Sequence, residues 1–264
     1  MTGHQLFTGE RALITGSASN IGRAIAMALA AEGADVVLAD IDADRNAAVA
    51  DEIARSVTGA DSMRRPLTIT TDLSHRDGWR DVAAAVADRT PDMLIHSACP
   101  RRHERDTALA VDEDTFDAML TTNVRSGFLL GREIGRRMRD GGIAGRILYI
   151  TSLHAESPRN LPHYSAAKAG MTMVMKELAR ALGPAGIRVN AIAPGAIPGG
   201  GAANMDDAFG PRAKIPLQRF GTGADIAHAA TALLSNRFMG YVTGVTLPVD
   251  GGLQGFNWIA MPQD

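Results

Sequence analysis

The sequence predicts an α/β fold, namely one doubly wound domain with a seven-stranded parallel sheet and helices on both faces. Short apolar runs rich in Val, Ile and Leu alternate with longer amphipathic stretches rich in Ala and Leu, which is the pattern of repeated βα units. The length of 264 residues suits one large domain of this class, and no Pro-, Ser- or charge-rich linker interrupts it. We therefore expect residues 1–264 to form a single domain.

The predicted elements follow the chain in strict alternation. The strands are expected near 11–15, 35–39, 66–70, 92–97, 145–151, 187–192 and 245–249. The helices are expected at roughly 20–32, 43–57, 76–89, 112–139, 163–183 and 223–235. Such units connect through right-handed crossovers. The Gly- and Pro-rich stretch 194–216 predicts a lid-like or ligand-binding loop, with a poorly ordered excursion as the alternative.

Composition narrows the class of partner. The formal net charge is −2 and the two signs are mixed along the chain, so no strong field draws the protein to nucleic acid or an anionic membrane. A small-molecule substrate is the simpler expectation. Cys99 is the only cysteine, which excludes a disulfide-built scaffold. With no secretory leader and no membrane-length apolar run, we expect a cytoplasmic protein. Histidines and acids show no metal-ligand spacing, so no metal is expected.

The first strand runs into a small-residue turn, Gly16 to Gly22, and then into an Ala-rich helix. Small residues let backbone N–H groups and the helix dipole approach a pyrophosphate, although a purely structural turn is the alternative. The second strand ends at Asp40, where a carboxylate can accept hydrogen bonds from a ribose diol and repel a 2′-phosphate. Because Ile41 rather than Arg or Lys follows, the pattern favours NAD over NADP. Asp72-Leu73 is placed to hold the adenine ring or, equally, to cap a helix.

Three polar residues after the fifth strand predict the chemistry. Ser152 follows that strand, Tyr164 comes twelve residues later and Lys168 four residues further on, so the last two share one helical face. A free tyrosine ionises near pH 10, so a phenolate near neutral pH needs about 4 kcal/mol of stabilisation. Positive charge on Lys168 and on an oxidised nicotinamide can supply much of it.

From end to end the chain resembles the short-chain dehydrogenase/reductases. The residues that carry the resemblance, in family order and spacing, are Thr15-Gly16 to Gly22, Asp40, Asp72, Asn123, Ser152, Tyr164, Lys168, Pro194-Gly195 and Val249-Asp250-Gly251-Gly252. The resemblance implies a Rossmann-type fold and hydride transfer between a nicotinamide and an alcohol or carbonyl. It implies that Tyr164 transfers the proton, Lys168 stabilises the phenolate and binds the nicotinamide ribose, Ser152 hydrogen-bonds the substrate oxygen, and Asn123 holds a relay water. The implied cofactor contacts are Gly16, Ser19, Asn20, Ile21, Asp40, Ile41, Asp72, Leu73, Ser97, Ala98, Tyr164, Lys168, Pro194, Gly195 and Ile197.

Two departures from the family pattern bear on the catalytic residues and their support. Many relatives carry Asn-Asn-Ala-Gly after the fourth strand, whereas this chain has His96-Ser97-Ala98-Cys99, so polar support for the neighbouring strand must come from other groups. Cys99 itself is more typical of a small core residue than of a nucleophile. The spacing from Ser152 to Tyr164 is one residue shorter than usual. The adjacent Thr151 therefore offers a second hydroxyl, although Ser152 is favoured.

Several features bear on the substrate and on assembly. His154 is either a substrate contact or an exposed loop histidine, and the run 101–105 is either a solvated loop, which is favoured, or a surface for an acidic or polyol substrate. The loop after Ser152 is somewhat similar to that of sugar and polyol dehydrogenases. The apolar tail 253–264 predicts a homo-oligomer, specifically a tetramer. Two other functions stay open: an NADPH-dependent 3-oxoacyl-carrier-protein ketoreductase and a non-catalytic nucleotide-binding regulator.

Overall fold

Seven parallel strands form one sheet in the order β3-β2-β1-β4-β5-β6-β7. This architecture is seen in a computed structural model that describes residues 5–56, 65–198, 210 and 214–255. The strands are β1 Arg11–Thr15, β2 Asp35–Asp40, β3 Leu67–Thr70, β4 Met93–His96, β5 Arg146–Ile150, β6 Arg188–Pro194 and β7 Thr246–Val249. All six neighbouring pairs are parallel. The predicted fold class, a single doubly wound α/β domain, is confirmed.

Helices cover both faces of the sheet. The α-helices are α1 Asn20–Ala31, α2 Ala43–Ser56, α3 Gly78–Ala85, α4 Glu113–Leu120, α5 Gly127–Asp140, α6 Pro162–Leu182, α7 Gly223–Leu234 and the short α8 Asn236–Met239. A π-helical turn spans Thr121–Ser126, and 3₁₀ turns span Leu153–Ala155 and Gly183–Ala185. No helix in the described part of the chain is long and apolar enough to cross a membrane.

Two apolar layers hold the helices to the sheet. On one face Ile25 and Leu29 of α1 and Leu233 of α7 join Ile14 and Ile95 in a buried cluster. The opposite layer joins the apolar faces of α3, α5 and α6 to the other side of the same strands. Strands covered on both faces must be apolar on both sides, which explains their continuous runs of Val, Ile and Leu.

The predicted helix over 112–139 is wrong in one respect, because the structure divides it into α4, the π turn and α5. A π turn inserts one extra residue into an α-helical path, so it re-aims the side chains that follow. Here Thr122, Asn123 and Ser126 become buried. Apolar periodicity did not reveal the insertion because α4, the π turn and α5 follow one another in the chain without a break.

Smaller differences concern element ends. Helix α3 begins at Gly78 with Asp77 at its N-cap position, so Asp72 does not cap it and that alternative is wrong. Strand β6 runs on to Pro194, which pairs with Val249 of β7. The predicted lid-like loop 194–216 and tail 253–264 lie largely outside the described residues.

The carboxyl ends of the strands meet along one edge of the sheet. The strand order changes direction between β1 and β4, since β2 and β3 lie to one side and β5, β6 and β7 to the other. Crossovers leave that point on opposite faces and open a crevice there, which is where open α/β sheets bind ligands. The polar residues singled out from the sequence follow these strand ends.

Candidate active site

The turn after β1 is built to bring backbone close to a ligand. Gly16 has φ of +68°, and a Cβ atom there would lie 2.7 Å from backbone atoms of Ala98. Ser19 caps α1, since its Oγ accepts from Gly22 N at 3.1 Å and donates to the Gly16 carbonyl at 2.6 Å. The backbone N–H groups of Asn20 and Ile21 meet no acceptor among the described residues. An anion at this helix start would satisfy them, so the turn fits a pyrophosphate.

Asp40 closes the other side of this turn. Its Oδ2 accepts from Ala18 N at 2.9 Å and its Oδ1 accepts from Asp42 N at 3.0 Å. Each carboxylate oxygen retains a lone pair for a further donor such as a ribose hydroxyl. The side chain of Ile41 is 63% exposed beside it. Ile41 therefore offers no positive charge that could bind a 2′-phosphate beside Asp40.

The remaining predicted cofactor contacts line the same edge. Asp72 Oδ1 accepts from N and Oγ of Ser74 and so stabilises a turn, while the buried Leu73 offers its carbonyl to Ser126 Oγ at 2.8 Å. Ser97 and Ala98 continue β4 across from Gly16.

The segment after β6 closes the crevice. A Cβ atom at Gly195 would lie 2.6 Å from Asp250, so the Pro194-Gly195 segment packs directly on the turn after β7. Ile197 is buried in the core, and Asn20 Nδ2 donates to the Pro198 carbonyl at 2.8 Å. The cofactor turn and the segment after β6 are therefore joined across the crevice.

Lys168 carries a buried charge at the centre of this edge. Its residue is 3% exposed, and its Nζ donates to Asn123 Oδ1 at 2.8 Å and to the Ile150 carbonyl at 3.0 Å. Asn123 is held in turn, because its Nδ2 donates to the Met119 carbonyl one turn earlier at 2.9 Å. The π turn and the end of β5 thus supply the two oxygen acceptors of the ammonium.

Tyr164 lies in the first turn of α6, where Pro162 occupies a position that needs no backbone donor. Its side chain is buried, and Lys168 Nζ lies 5.6 Å from the centre of its ring. The guanidinium carbon of Arg102 lies 4.6 Å from the same ring centre. Two cationic side chains therefore lie against one phenol ring.

The two neighbouring hydroxyls at the end of β5 have different partners. Thr151 Oγ1 donates to the Ile192 carbonyl at 2.9 Å, so its hydroxyl hydrogen is used within the sheet. Ser152 Oγ accepts from His154 N at 3.2 Å, which leaves its hydrogen available to another acceptor. This difference favours Ser152 as the group that meets a substrate oxygen.

The structure decides between the two interpretations of His154 and corrects the one given for Cys99. His154 is half-buried, its Nδ1 contacts the Ser157 carbonyl at 2.9 Å, and its ring centre lies 6.3 Å from that of Tyr164. Burial lowers the pKa of His154, and an exposed loop histidine is therefore the wrong interpretation. Cys99 is exposed rather than in the core, because it follows β4 beyond the sheet edge, where Asn123 Nδ2 lies 3.6 Å from its Sγ.

His96 supplies the polar support that the departure after β4 left unassigned. Its Nδ1 lies 2.9 Å from Thr15 Oγ1 and its Nε2 lies 3.1 Å from the Thr122 carbonyl. Because a carbonyl only accepts, Nε2 carries the hydrogen and Nδ1 accepts from Thr15. The ring is fully buried, so it joins β1 to the π turn that carries Asn123. This packing requires a glycine at position 127, because a Cβ atom on Gly127 would lie 2.9 Å from the His96 ring.

In the described residues, no three His, Cys, Asp or Glu side chains lie together as a metal site would require. The polar groups that do converge are Asn123, Ser152, Tyr164 and Lys168, with His154 and Arg102 at their side. Their arrangement suits proton transfer next to a nucleotide crevice.

Known proteins similar to this chain in sequence and in fold identify its family. Residues 16–254 match the family model described as enoyl-(acyl carrier protein) reductase. The chain is 34% identical to glucose 1-dehydrogenase of Gluconobacter oxydans over 94% of its own length and 92% of that protein's. It is 31% identical to L-rhamnose 1-dehydrogenase (NAD(P)(+)) of Azotobacter vinelandii, over 94% and 98% of the two lengths. A Sinorhizobium meliloti structure described as a short-chain alcohol dehydrogenase superposes with a TM-score of 0.86 at 30% identity, covering 96% and 99%.

The chain belongs to the short-chain dehydrogenase/reductase family. It is thus an oxidoreductase whose family uses a nicotinamide cofactor. The carboxylate of Asp40 and the N–H groups at the start of α1, which have no acceptor in the described part of the chain, agree with this.

Protonation of His96 should destabilise the protein. Burial, and then the charge of Lys168, lower the pKa of His96 from 6.5 to about 4. The unfolded chain therefore takes up this proton first, so the stabilisation is complete above pH 6.5 and is lost as pH falls toward 4. Full loss amounts to about 3 kcal/mol of unfolding free energy. Chemical denaturation from pH 8 to pH 4.5 should show a shallower decline in His96→Asn than in the wild type.

Two features make this measurement specific. His154 and His163 also have pKa values lowered by burial, but they contribute equally to both proteins and cancel in the comparison. His228→Asn removes an exposed histidine of α7 and should leave the wild-type slope intact. Identical slopes for His96→Asn and the wild type would show that His96 is not held neutral in the folded state.

Proposed function

We propose that the protein is an NAD-dependent oxidoreductase that interconverts a secondary alcohol and its carbonyl, with Tyr164 as the general acid and base. The observation that carries the proposal is the buried ammonium of Lys168, fixed by Asn123 and Ile150 beside the Tyr164 ring. When bound, a nicotinamide would supply the hydride chemistry, as acceptor from an alcohol carbon or donor to a carbonyl carbon. The protein's own contribution is orientation and proton transfer.

The proton step uses four side chains. Ser152 Oγ donates to the substrate oxygen and holds it beside Tyr164. The phenolate of Tyr164 takes the hydroxyl proton as the alcohol is oxidised, and the phenol returns it in the reverse direction. Lys168 stabilises the phenolate through its positive charge and, in this proposal, also binds the nicotinamide ribose. Asn123, which already accepts from Lys168, orients a water that carries the proton onward.

The cofactor is held along the strand ends. The turn Gly16 to Gly22 with the start of α1 holds the pyrophosphate, and Asp40 accepts from the adenosine ribose diol. We propose NAD because a 2′-phosphate would meet that carboxylate with only Ile41 beside it. The remaining contacts in this proposal are Ser19, Asn20, Ile21, Asp72, Leu73, Ser97, Ala98, Pro194, Gly195 and Ile197.

The substrate proposed from the relatives is a sugar, a polyol or a cyclic alcohol. Glucose and L-rhamnose dehydrogenases cover nearly the whole chain at more than 30% identity. Ser152, His154 and Tyr164 are the proposed substrate contacts. An NADPH-dependent 3-oxoacyl-carrier-protein ketoreductase would need a cation beside Asp40, and a non-catalytic regulator would have no need of the relay around Lys168.

We also propose a homotetramer in the cytoplasm. Strand β7 is an edge strand, and Leu247 on it and Phe238 and Tyr241 before it are exposed. Exposed apolar groups beside a strand that is at the edge of the sheet formed by the described residues favour association with a second copy. The single cysteine suits a reducing compartment.

Removing the Tyr164 hydroxyl should stop turnover without loss of cofactor. Tyr164→Phe keeps the ring between its two cations but removes the proton carrier, so kcat should fall about 10²- to 10⁴-fold. The dissociation constant for NAD, measured by calorimetry, should stay within about twofold because the pyrophosphate and ribose contacts are untouched. Tyr241→Phe, at an exposed tyrosine, is the matched control. Turnover by Tyr164→Phe at the wild-type rate would contradict the assigned role.

The cofactor assignment is tested by initial rates with NAD and NADP. The wild type should prefer NAD by at least about tenfold in kcat/KM because Asp40 repels a 2′-phosphate. Ile41→Arg places a guanidinium beside that phosphate and should raise the NADP to NAD ratio by a further tenfold or so. The neutral Ile41→Gln variant should leave the ratio near that of the wild type. A wild-type preference for NADP would overturn the assignment.

A further inference from the structure

Arg102 is the one member of the basic run 101–105 that leaves the solvated loop. Its guanidinium carbon lies 4.6 Å from the centre of the Tyr164 ring, and the residue is half-buried, whereas Arg101, His103, Glu104 and Arg105 are exposed. Arg102 therefore differs from a residue of a purely solvated loop, because its cation lies over the phenol of the active site.

The buried part of Arg102 lacks a hydrogen-bond acceptor. Its Nε is inaccessible to solvent and has no partner among the described residues. Because this Nε has no acceptor in the described part of the protein, no hydrogen bond at that atom is lost if the guanidinium shifts to meet a ligand. Arginine offers several N–H groups in a planar fork that matches a carboxylate.

Carboxylates near Arg102 in the chain, and one on the loop after Ser152, have other partners. Glu104 accepts from Arg159 at 2.7 Å, which ties the loop after β4 to the loop before α6. The buried Asp106 accepts from His103 N at 3.1 Å, and Glu156 accepts from Gln254 at 2.6 Å. Arg102 also acts on His154, whose pKa is lowered first by burial and then by the charges of Arg159 and Arg102, while Glu104 opposes them.

We propose that Arg102 is a specificity-determining residue that binds a carboxylate on the substrate, so that the preferred substrate is a hydroxy acid or a sugar acid. The guanidinium covers the ring whose hydroxyl exchanges the proton, so the carboxylate lies within a few bonds of the reacting carbon. This inference rests on the proposed function, because it takes the substrate to react at Tyr164. It narrows the proposed substrates from neutral sugars, polyols and cyclic alcohols to alcohols that carry a carboxylate.

The test compares acids with their amides, which match them in shape but carry no charge. The pairs are lactate and lactamide, 3-hydroxybutyrate and 3-hydroxybutyramide, and D-gluconate and D-gluconamide. Binding is measured by calorimetry on the NAD complex of Tyr164→Phe, whose phenyl ring keeps the face under Arg102 and which cannot turn the ligand over. At least one acid should bind about tenfold or more tightly than its amide.

Variants of the loop identify the origin of that preference. Arg102→Gln in the same background should bring acid and amide within about twofold of each other, and Arg102→Lys should retain part of the preference. Arg101→Gln removes an equal charge from the adjacent exposed position and should retain all of it. Equal binding of acid and amide in every pair would overturn the inference, as would a preference that survives Arg102→Gln or that Arg101→Gln abolishes.

The wild type separates this inference from the proposed function. Oxidation of neutral alcohols with NAD, together with equal binding of acids and amides, would leave the function standing and remove the role of Arg102. Arg102-dependent binding of acids without NADH formation from any alcohol would support the anion site and contradict the proposed function.

Discussion

The buried ammonium of Lys168 is the constraint on which the rest of the site depends. Removing such a charge from water costs several kcal/mol unless acceptors replace the lost hydration. Two of these acceptors are Asn123 Oδ1 and the Ile150 carbonyl, from the π turn and from the end of β5. The long helix α6 carries both Lys168 and Tyr164, so holding one residue places the other. The hydrogen bonds that replace the hydration of Lys168 therefore also fix the position of the Tyr164 phenol.

A second buried group keeps the π turn in register with the sheet. His96 bridges Thr15 of β1 and the Thr122 carbonyl, one residue before Asn123. The neutral ring costs less to bury than a charged one, and the charge of Lys168 opposes its protonation. The family resemblance implied an asparagine at this place. The imidazole of His96 is larger than an asparagine side chain, and Gly127 leaves room for it.

Much of the fold could be predicted from the sequence because local patterns determine it. Continuous apolar runs marked the strands, and small residues marked the turn after β1. The π turn could not be predicted, since an insertion of one residue changes the direction of side chains without changing composition. The contacts of His96 and the packing of Arg102 on Tyr164 were also not predictable, because each joins residues far apart in sequence. Spacing did identify Lys168 and Tyr164 correctly as neighbours on one helix.

The pH dependence of kcat/KM in Lys168→Met tests the central claim, that this ammonium stabilises the phenolate of Tyr164. The acid limb of the profile should move to higher pH relative to the wild type, because the nearby positive charge is lost. Lys176→Met removes an exposed lysine from the same helix and should leave the limb in place. A Lys168→Met profile that falls uniformly, with its acid limb unmoved, would show that Lys168 binds cofactor without tuning the phenol and would contradict the account.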